Sequence, residues 1–279
     1  MFFVYLVLSV LLSALTVFSL GLSGVGVILF GILFILLYMV AALLLHVLFL
    51  FILSCFVDKE KPVETDSSLY RKVTAATIAM GLRLLNVHVR VTGLETVPKG
   101  RFLLIQNHRS AFDPLISLYA LDSLQLGFIT KPENMEIPIV GKFAHKICAL
   151  PIDRENPRNA MKTIHKAADF LTGDVCSIGL YPEGTRNKEA GLLPFHNGSL
   201  KIAVRAGVPI VVTAVTGTDL VKKNAPFRRT NVEIHICGVI PAEEVKGAST
   251  ASLGDRARAI LCRDLGWEET PSFPDQTSV

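Results

Sequence analysis

The pattern of apolar and polar positions divides the chain in two before any single residue is considered. From Met1 to Val57 there is no Asp, Glu, Lys or Arg, and the apolar run breaks once, at Gly21 to Gly26 (GLSGVG). Glycine and serine in that cluster favour a turn over helix interior. A membrane-spanning helix needs about 20 apolar residues. Phe2 to Leu20 supplies one such length and Val27 to Val57 a second. The pattern therefore predicts a two-helix membrane-anchoring hairpin over residues 1–57, since a helix lying on the surface would show a charged face. A cleaved leader would begin with a basic stretch, which Met1-Phe2-Phe3-Val4 does not provide.

Residues 58–67 are polar and include Pro62, so they read as a linker, and residues 68–279 read as one further domain. Within it the period switches repeatedly between that of a helix and that of a strand. A helix is expected over 68–85 and a strand over 87–91. The strand FLLI (102–105) follows, then a helix after Asp113, the strand LGFIT (126–130) and a helix over 138–146. The strand ALPI (149–152), a helix over 157–171, the strand VCSIGLY (175–181) and a helix over 198–206 come next. The strands PIVVTAV (209–215) and VEIHICGVI (232–240) and a helix over 250–265 precede a polar tail with Pro271 and Pro274. Apolar strands alternating with helices define an α/β domain with a central, largely parallel sheet flanked by helices.

Charge and cysteine content refine this picture. The net charge of +4 belongs entirely to the part beyond Val57. Arg71-Lys72, near the end of the apolar segment, favours the cytoplasmic side for the domain. His46 lies inside the second apolar run, where a polar cavity or the membrane interface is the expected surrounding. Five cysteines are scattered without metal-binding spacing, as befits buried thiols in a reducing compartment. No metal and no nucleic-acid partner is expected.

In parallel sheets ligand sites collect beyond the C-terminal ends of strands, and three polar clusters fall there. The first is NHRSAFDP, residues 107 to 114. Asp113 as N-cap and Pro114 at the first helical position would start a helix and leave His108 in the preceding loop. If that loop curls back, Asp113 fixes the tautomer of His108 and leaves its other nitrogen as a base. The alternative is a simple helix cap beside a loop histidine. The second cluster places Lys131 and Arg154 at strand ends, as an anion pocket or as a solvated surface pair. The third, YPEGTR (Tyr181 to Arg186), is a glycine turn flanked by Glu183 and Arg186, as a ligand loop or as a surface turn with a local ion pair.

The order of these motifs resembles the PlsC-type glycerolipid acyltransferases, in particular the 1-acyl-glycerol-3-phosphate acyltransferases. His108 and Asp113 match the HX4D motif. Lys131, Glu133, Pro138, Gly141 and Ile152-Asp153-Arg154 follow, then Pro182-Glu183-Gly184-Thr185-Arg186 and Gly207-Val208-Pro209-Ile210. The resemblance covers residues 87 to 240. It departs at Tyr181, where phenylalanine is usual, at Asn134, where leucine is common, and at Thr213, in a stretch where a second proline is often found.

The resemblance implies that His108 and Asp113 are catalytic and that Lys131, Arg154, Glu183, Gly184, Thr185 and Arg186 bind substrate. It implies acyl transfer from a thioester, acyl-CoA or acyl-acyl carrier protein, to the free hydroxyl of lysophosphatidic acid, making phosphatidic acid in a bacterial cell membrane. No cofactor is implied beyond that co-substrate. Backbone amides near the HRSAFD loop would stabilise the oxyanion. A different lysophospholipid or glycerol-phosphate acceptor remains an alternative, as does an inactive membrane lipid-binding scaffold. A serine hydrolase is excluded by the lack of a GxSxG elbow.

Overall fold

The computed structural model describes residues 1–267, so the polar tail expected around Pro271 and Pro274 lies outside the described residues. The chain folds as two units, residues 1–60 and residues from Lys61 onward.

The first unit is a pair of helices, α1 (Phe2–Ser19) and α2 (Val25–Cys55), joined by residues 20–24. Both are long and apolar enough to cross a membrane by length and composition. Several of their polar groups meet across the pair, because a hydroxyl or imidazole surrounded by hydrocarbon needs a partner. The Tyr5 hydroxyl lies 3.1 Å from His46 Nδ1, Ser13 Oγ donates to the Gly31 carbonyl at 2.8 Å, and Thr16 Oγ1 meets the Tyr38 hydroxyl at 2.8 Å. His46 therefore lies between the helices, and the expected polar cavity or membrane interface gives way to contact with Tyr5.

The second unit opens with α3 (Ser68–Leu84), β1 (Val87–Thr92), β2 (Leu103–Gln106), α4 (Asp113–Ala120) and β3 (Leu126–Thr130). It continues with α5 (Pro132–Met135), α6 (Val140–Lys146), β4 (Leu150–Pro151), α7 (Pro157–Thr172), β5 (Ser177–Leu180) and α8 (Lys201–Ala206). It closes with β6 (Ile210–Thr216), α9 (Val221–Asn224), β7 (Thr230–Ile240), α10 (Ala242–Val245) and α11 (Thr250–Leu265). The seven strands form one sheet in the order β1-β7-β6-β2-β5-β3-β4. Every neighbouring pair is parallel except β6 with β7, which run antiparallel with a register shift between Val212 and Thr213.

Alternation along the strands splits the core into two layers, since successive side chains point to opposite faces. Leu103 and Ile105 of β2, with Ile210, Val212 and Ala214 of β6, pack against α7, α8 and α11. Leu104, Val211 and Val215 face the other way, onto Leu82 of α3 and Ile116 of α4. The strands are buried on both sides, so they read as unbroken apolar runs.

Two expected helices are shorter than their periodicity suggests, and the one expected over 198–206 is a 3-10 turn (Asn197–Leu200) followed by α8. The helix expected over 138–146 starts at Val140, because Ile139 sits at φ +64° in a tight turn closed by the Val140 N–H on the Pro138 carbonyl at 2.7 Å. Lys131 to Met135 instead form the cap and body of the separate helix α5.

Candidate active site

Because β2, β3, β4 and β5 run parallel, the segments that leave their C-terminal ends share one edge of the sheet. His108 follows β2, Lys131 follows β3, Arg154 follows β4, and Tyr181 to Arg186 follow β5.

The loop after β2 curls back on Asp113. His108 Nδ1 lies 2.8 Å from Asp113 Oδ2, and the same oxygen accepts the N–H groups of Arg109 at 2.7 Å and Ser110 at 2.8 Å. Asp113 is fully buried, which strengthens each of these bonds. A carboxylate only accepts, so the bond assigns the proton to Nδ1 and leaves the Nε2 lone pair available. Asp113 is the first residue of α4, with Phe112 as the N-cap. This corrects the expected N-cap role: the carboxylate serves the loop before the helix rather than the helix's own first turn.

The face of the imidazole is covered too. Tyr181 stacks on His108 with ring centroids 4.2 Å apart, and Phe128 stacks on Tyr181 at 5.6 Å. The Tyr181 hydroxyl donates to Gln106 Oε1 at 3.2 Å, an oxygen that also accepts from Ser117 Oγ at 2.8 Å. Burial, helped by the charge of Asp113, pushes the phenol well above its usual pKa, so it stays a donor.

The loop's backbone is clamped from three sides. Asn107 extends β2 with its side chain, donating to the Val215 carbonyl at 2.9 Å and accepting from the Val215 N–H at 2.7 Å. The His108 carbonyl accepts from the Asn187 N–H at 2.8 Å. Glu183 accepts from the His108 N–H at 2.8 Å through one oxygen and from the Leu193 N–H at 2.9 Å through the other. Arg258 of α11 donates to the carbonyls of Leu192 and Leu193 at 2.9 and 2.7 Å. Burial raises the Glu183 carboxyl above its ordinary pKa, opposed by those two N–H donors. The carboxylate of Glu183, for which the resemblance implies a substrate contact, is turned inward to main chain.

Gly184 is required where it stands. Its φ is +72°, and a Cβ there would lie 2.6 Å from the His196 ring and 2.9 Å from Arg154 Nη1. Arg154 donates to the Gly184 carbonyl, joining the segment after β4 to the turn after β5. Burial and the Arg154 charge lower the pKa of His196 beside this turn. Lys131, Thr185 and Arg186 are exposed on the same edge, and among the described residues no hydrogen bond or ion pair ties them to the His108–Asp113 pair.

One expectation narrows. The N–H groups of His108, Arg109, Ser110 and Phe112 are already bonded, to Glu183, Asp113, Asp113 and Ser110 Oγ. Of the loop amides between His108 and Phe112, that of Ala111 is the one without a partner among the described residues. Among the described residues no three His, Cys, Asp or Glu side chains gather to hold a metal ion.

The sequence reading passed over Gln106, Asn107, Ser117 and Arg258. A polar pair directly ending an apolar strand was the available signal for the first two. Arg258 carried none, because its partners are carbonyls more than 60 residues away in the chain.

The stretch that carries the carboxylate-held histidine after the central strand, residues 88–216, matches the family model described as Acyltransferase. The chain is 30% identical over 150 residues to the 1-acyl-sn-glycerol-3-phosphate acyltransferase of Limnanthes douglasii, covering 54% of this chain and 53% of that protein. It is 31% identical over 165 residues to the protein of the same name from Haemophilus influenzae, covering 59% and 66%. The chain thus spans about half the length of the plant relative and just under two thirds of the bacterial one. The structure of the 1-acyl-sn-glycerophosphate (LPA) acyltransferase PlsC from Thermotoga maritima matches with a TM-score of 0.58 at 24% identity, covering 79% of this chain and 89% of that one, a likeness of fold. Over residues 88–216 the chain is thus similar to the PlsC-type acyltransferases.

Proposed function

We propose that the protein transfers an acyl chain from a thioester to the free hydroxyl of lysophosphatidic acid, giving phosphatidic acid. The observation that carries this reading is the His108–Asp113 pair at 2.8 Å, whose Nε2 is left with a lone pair on an edge that also bears Lys131, Arg154 and Arg186. A glycerol hydroxyl is a poor nucleophile at neutral pH, and a histidine held in one tautomer removes its proton during attack. The names of the relatives from Limnanthes and Haemophilus support this acceptor.

In the proposed reaction the hydroxyl oxygen bonds to the thioester carbon while its proton passes to His108 Nε2. Asp113 stabilises the resulting imidazolium. The tetrahedral oxyanion then collapses, the carbon–sulfur bond breaks, and the imidazolium returns its proton to the departing thiolate. The thioester brings its own activation, so the step draws on no metal or resident cofactor. Lys131, Arg154, Thr185 and Arg186 hold the acceptor phosphate, with the guanidinium groups matching its oxygens in pairs. The donor is acyl-CoA or acyl-acyl carrier protein. The hairpin of residues 1–57 anchors the enzyme in the cell membrane with the catalytic domain on the cytoplasmic side.

The test is an acyl-transfer assay offering lysophosphatidic acid beside other lysophospholipids with each donor. Lysophosphatidic acid is expected to be the preferred acceptor, and His108→Ala to abolish transfer without unfolding the chain. Wild-type turnover in a folded His108→Ala protein would remove the mechanism, and preference for another lysophospholipid would reassign the acceptor.

A further inference from the structure

The loop between β6 and β7 is built unlike the rest of the surface. Its ends are fixed, with Val221 and Thr230 buried. Its path is held by main-chain bonds from Ala225 N–H to the Val221 carbonyl at 3.0 Å and from Arg228 N–H to the Asn224 carbonyl at 2.8 Å. Between these anchors it presents Lys222, Lys223, Arg228 and Arg229, all exposed, with no acidic residue from Leu220 to Thr230. Phe227 stands among the four cations at 93% exposure, and Leu220 is 43% exposed. An isolated charged loop needs no explanation, but a large aromatic side chain held in water amid four cations does.

The position of the loop matters as much as its composition. β6 runs parallel to β2, and Val215, near the end of β6, holds the side chain of Asn107, the residue before His108. Asp219, at the start of the loop, lies 4.0 Å from Arg109. The loop therefore leaves the sheet at the edge where His108 stands.

We propose that residues 220–229 form a bilayer-contacting loop, with Phe227 entering the interfacial layer and Lys222, Lys223, Arg228 and Arg229 meeting anionic lipid headgroups. An aromatic ring suits the headgroup level, where one face is apolar and the other wet. Lys and Arg near an anionic leaflet are attracted within a Debye length of it. An acidic protein docking on the cations would leave the exposure of Phe227 unexplained, which favours the lipid surface. The role in catalysis rests on the acceptor proposed above; the contact itself does not.

The test uses the full-length protein in vesicles. In Phe227→Trp, with the single native Trp267 of the unsubstituted chain as reference, brominated lipid is expected to quench the introduced indole, more strongly when phosphatidylglycerol is mixed with phosphatidylcholine. Replacing all four cations with Gln in the same background is expected to weaken that quenching. In the chain retaining Phe227, the four substitutions should lower turnover of lysophosphatidic acid on anionic vesicles by about tenfold while leaving turnover in detergent unchanged. An introduced indole that brominated lipid leaves unquenched overturns the proposal, and so does quenching indifferent both to headgroup charge and to the four substitutions. Loss of turnover confined to an acidic carrier-protein donor, and equal in detergent, assigns the loop to a protein partner and overturns it too. Quenching needs no turnover, so an error in the proposed acceptor would not disturb that result.

Discussion

Tyr181 couples His108 to the interior of the sheet. Its ring stacks on His108, and its hydroxyl is tied to buried Gln106. Tyr181→Phe keeps the stack and loses one hydrogen bond, and Gln106 Oε1 retains Ser117. One such bond is worth about 0.5–1.5 kcal/mol, so kcat is expected to fall about two- to tenfold, and Tyr181→Ala should fall further because the stack goes as well. Steady-state kinetics of the two variants would show equal losses if the ring has no positioning role. Glu183 offers a second residue-level test. Glu183→Gln places one amide N–H against either the His108 or the Leu193 N–H, so a buried donor goes unsatisfied at about 1–3 kcal/mol. Burial raises the Glu183 carboxyl pKa, so the folded chain binds its proton more tightly than the unfolded chain does, and that contribution to stability is lost as pH rises through the folded value. The lead of the unsubstituted protein over Glu183→Gln in thermal unfolding should therefore shrink as pH rises from below the ordinary carboxylate range. A lead that grows with pH would contradict this.

At the scale of elements, the legible parts were those set by periodicity. The helix expected over 250–265 is α11 (Thr250–Leu265), and LGFIT is β3 (Leu126–Thr130), because apolar spacing at 3.6 or 2 residues records which face is buried. The turn at Ile139 and the partners of Glu183 were not legible. The first is a backbone conformation that a β-branched residue seldom adopts, and the second joins groups brought together only by the fold. The site was legible as a set of residue types after strands, and its support was not. Asn107 shows the difference, since it reads as a loop residue yet acts as one more rung of the β2–β6 pairing. Asn107→Ala leaves the buried N–H and carbonyl of Val215 without that partner, and about 2–5 kcal/mol of stability should be lost. Chemical denaturation measures this directly, and a loss under 1 kcal/mol would mean that water replaces the side chain.

For the whole molecule, the division into residues 1–60 and residues from Lys61 onward separates the two long apolar helices from the unit that holds the His108–Asp113 pair. α2 has 31 residues, about 46 Å at 1.5 Å per residue, against a hydrocarbon core of about 30 Å. No residue of either helix carries a formal charge, so no ionised group along them opposes burial in lipid. The full chain is therefore expected to resist extraction by alkaline carbonate. A chain beginning at Asp58 keeps every contact described for the site, and also the contact of His145 Nε2 with the Lys61 carbonyl at 3.1 Å. It should fold without detergent and act on short-chain acceptor dispersed in detergent. On acceptor embedded in a bilayer it loses the effective concentration that tethering gives, and turnover should fall by about tenfold or more. What remains should depend on the cations of the β6–β7 loop, and so decline with added salt on anionic vesicles and stay flat on neutral ones. Release of the full chain by carbonate, or undiminished turnover of the shortened chain on vesicles, would show that residues 1–57 do not anchor the enzyme.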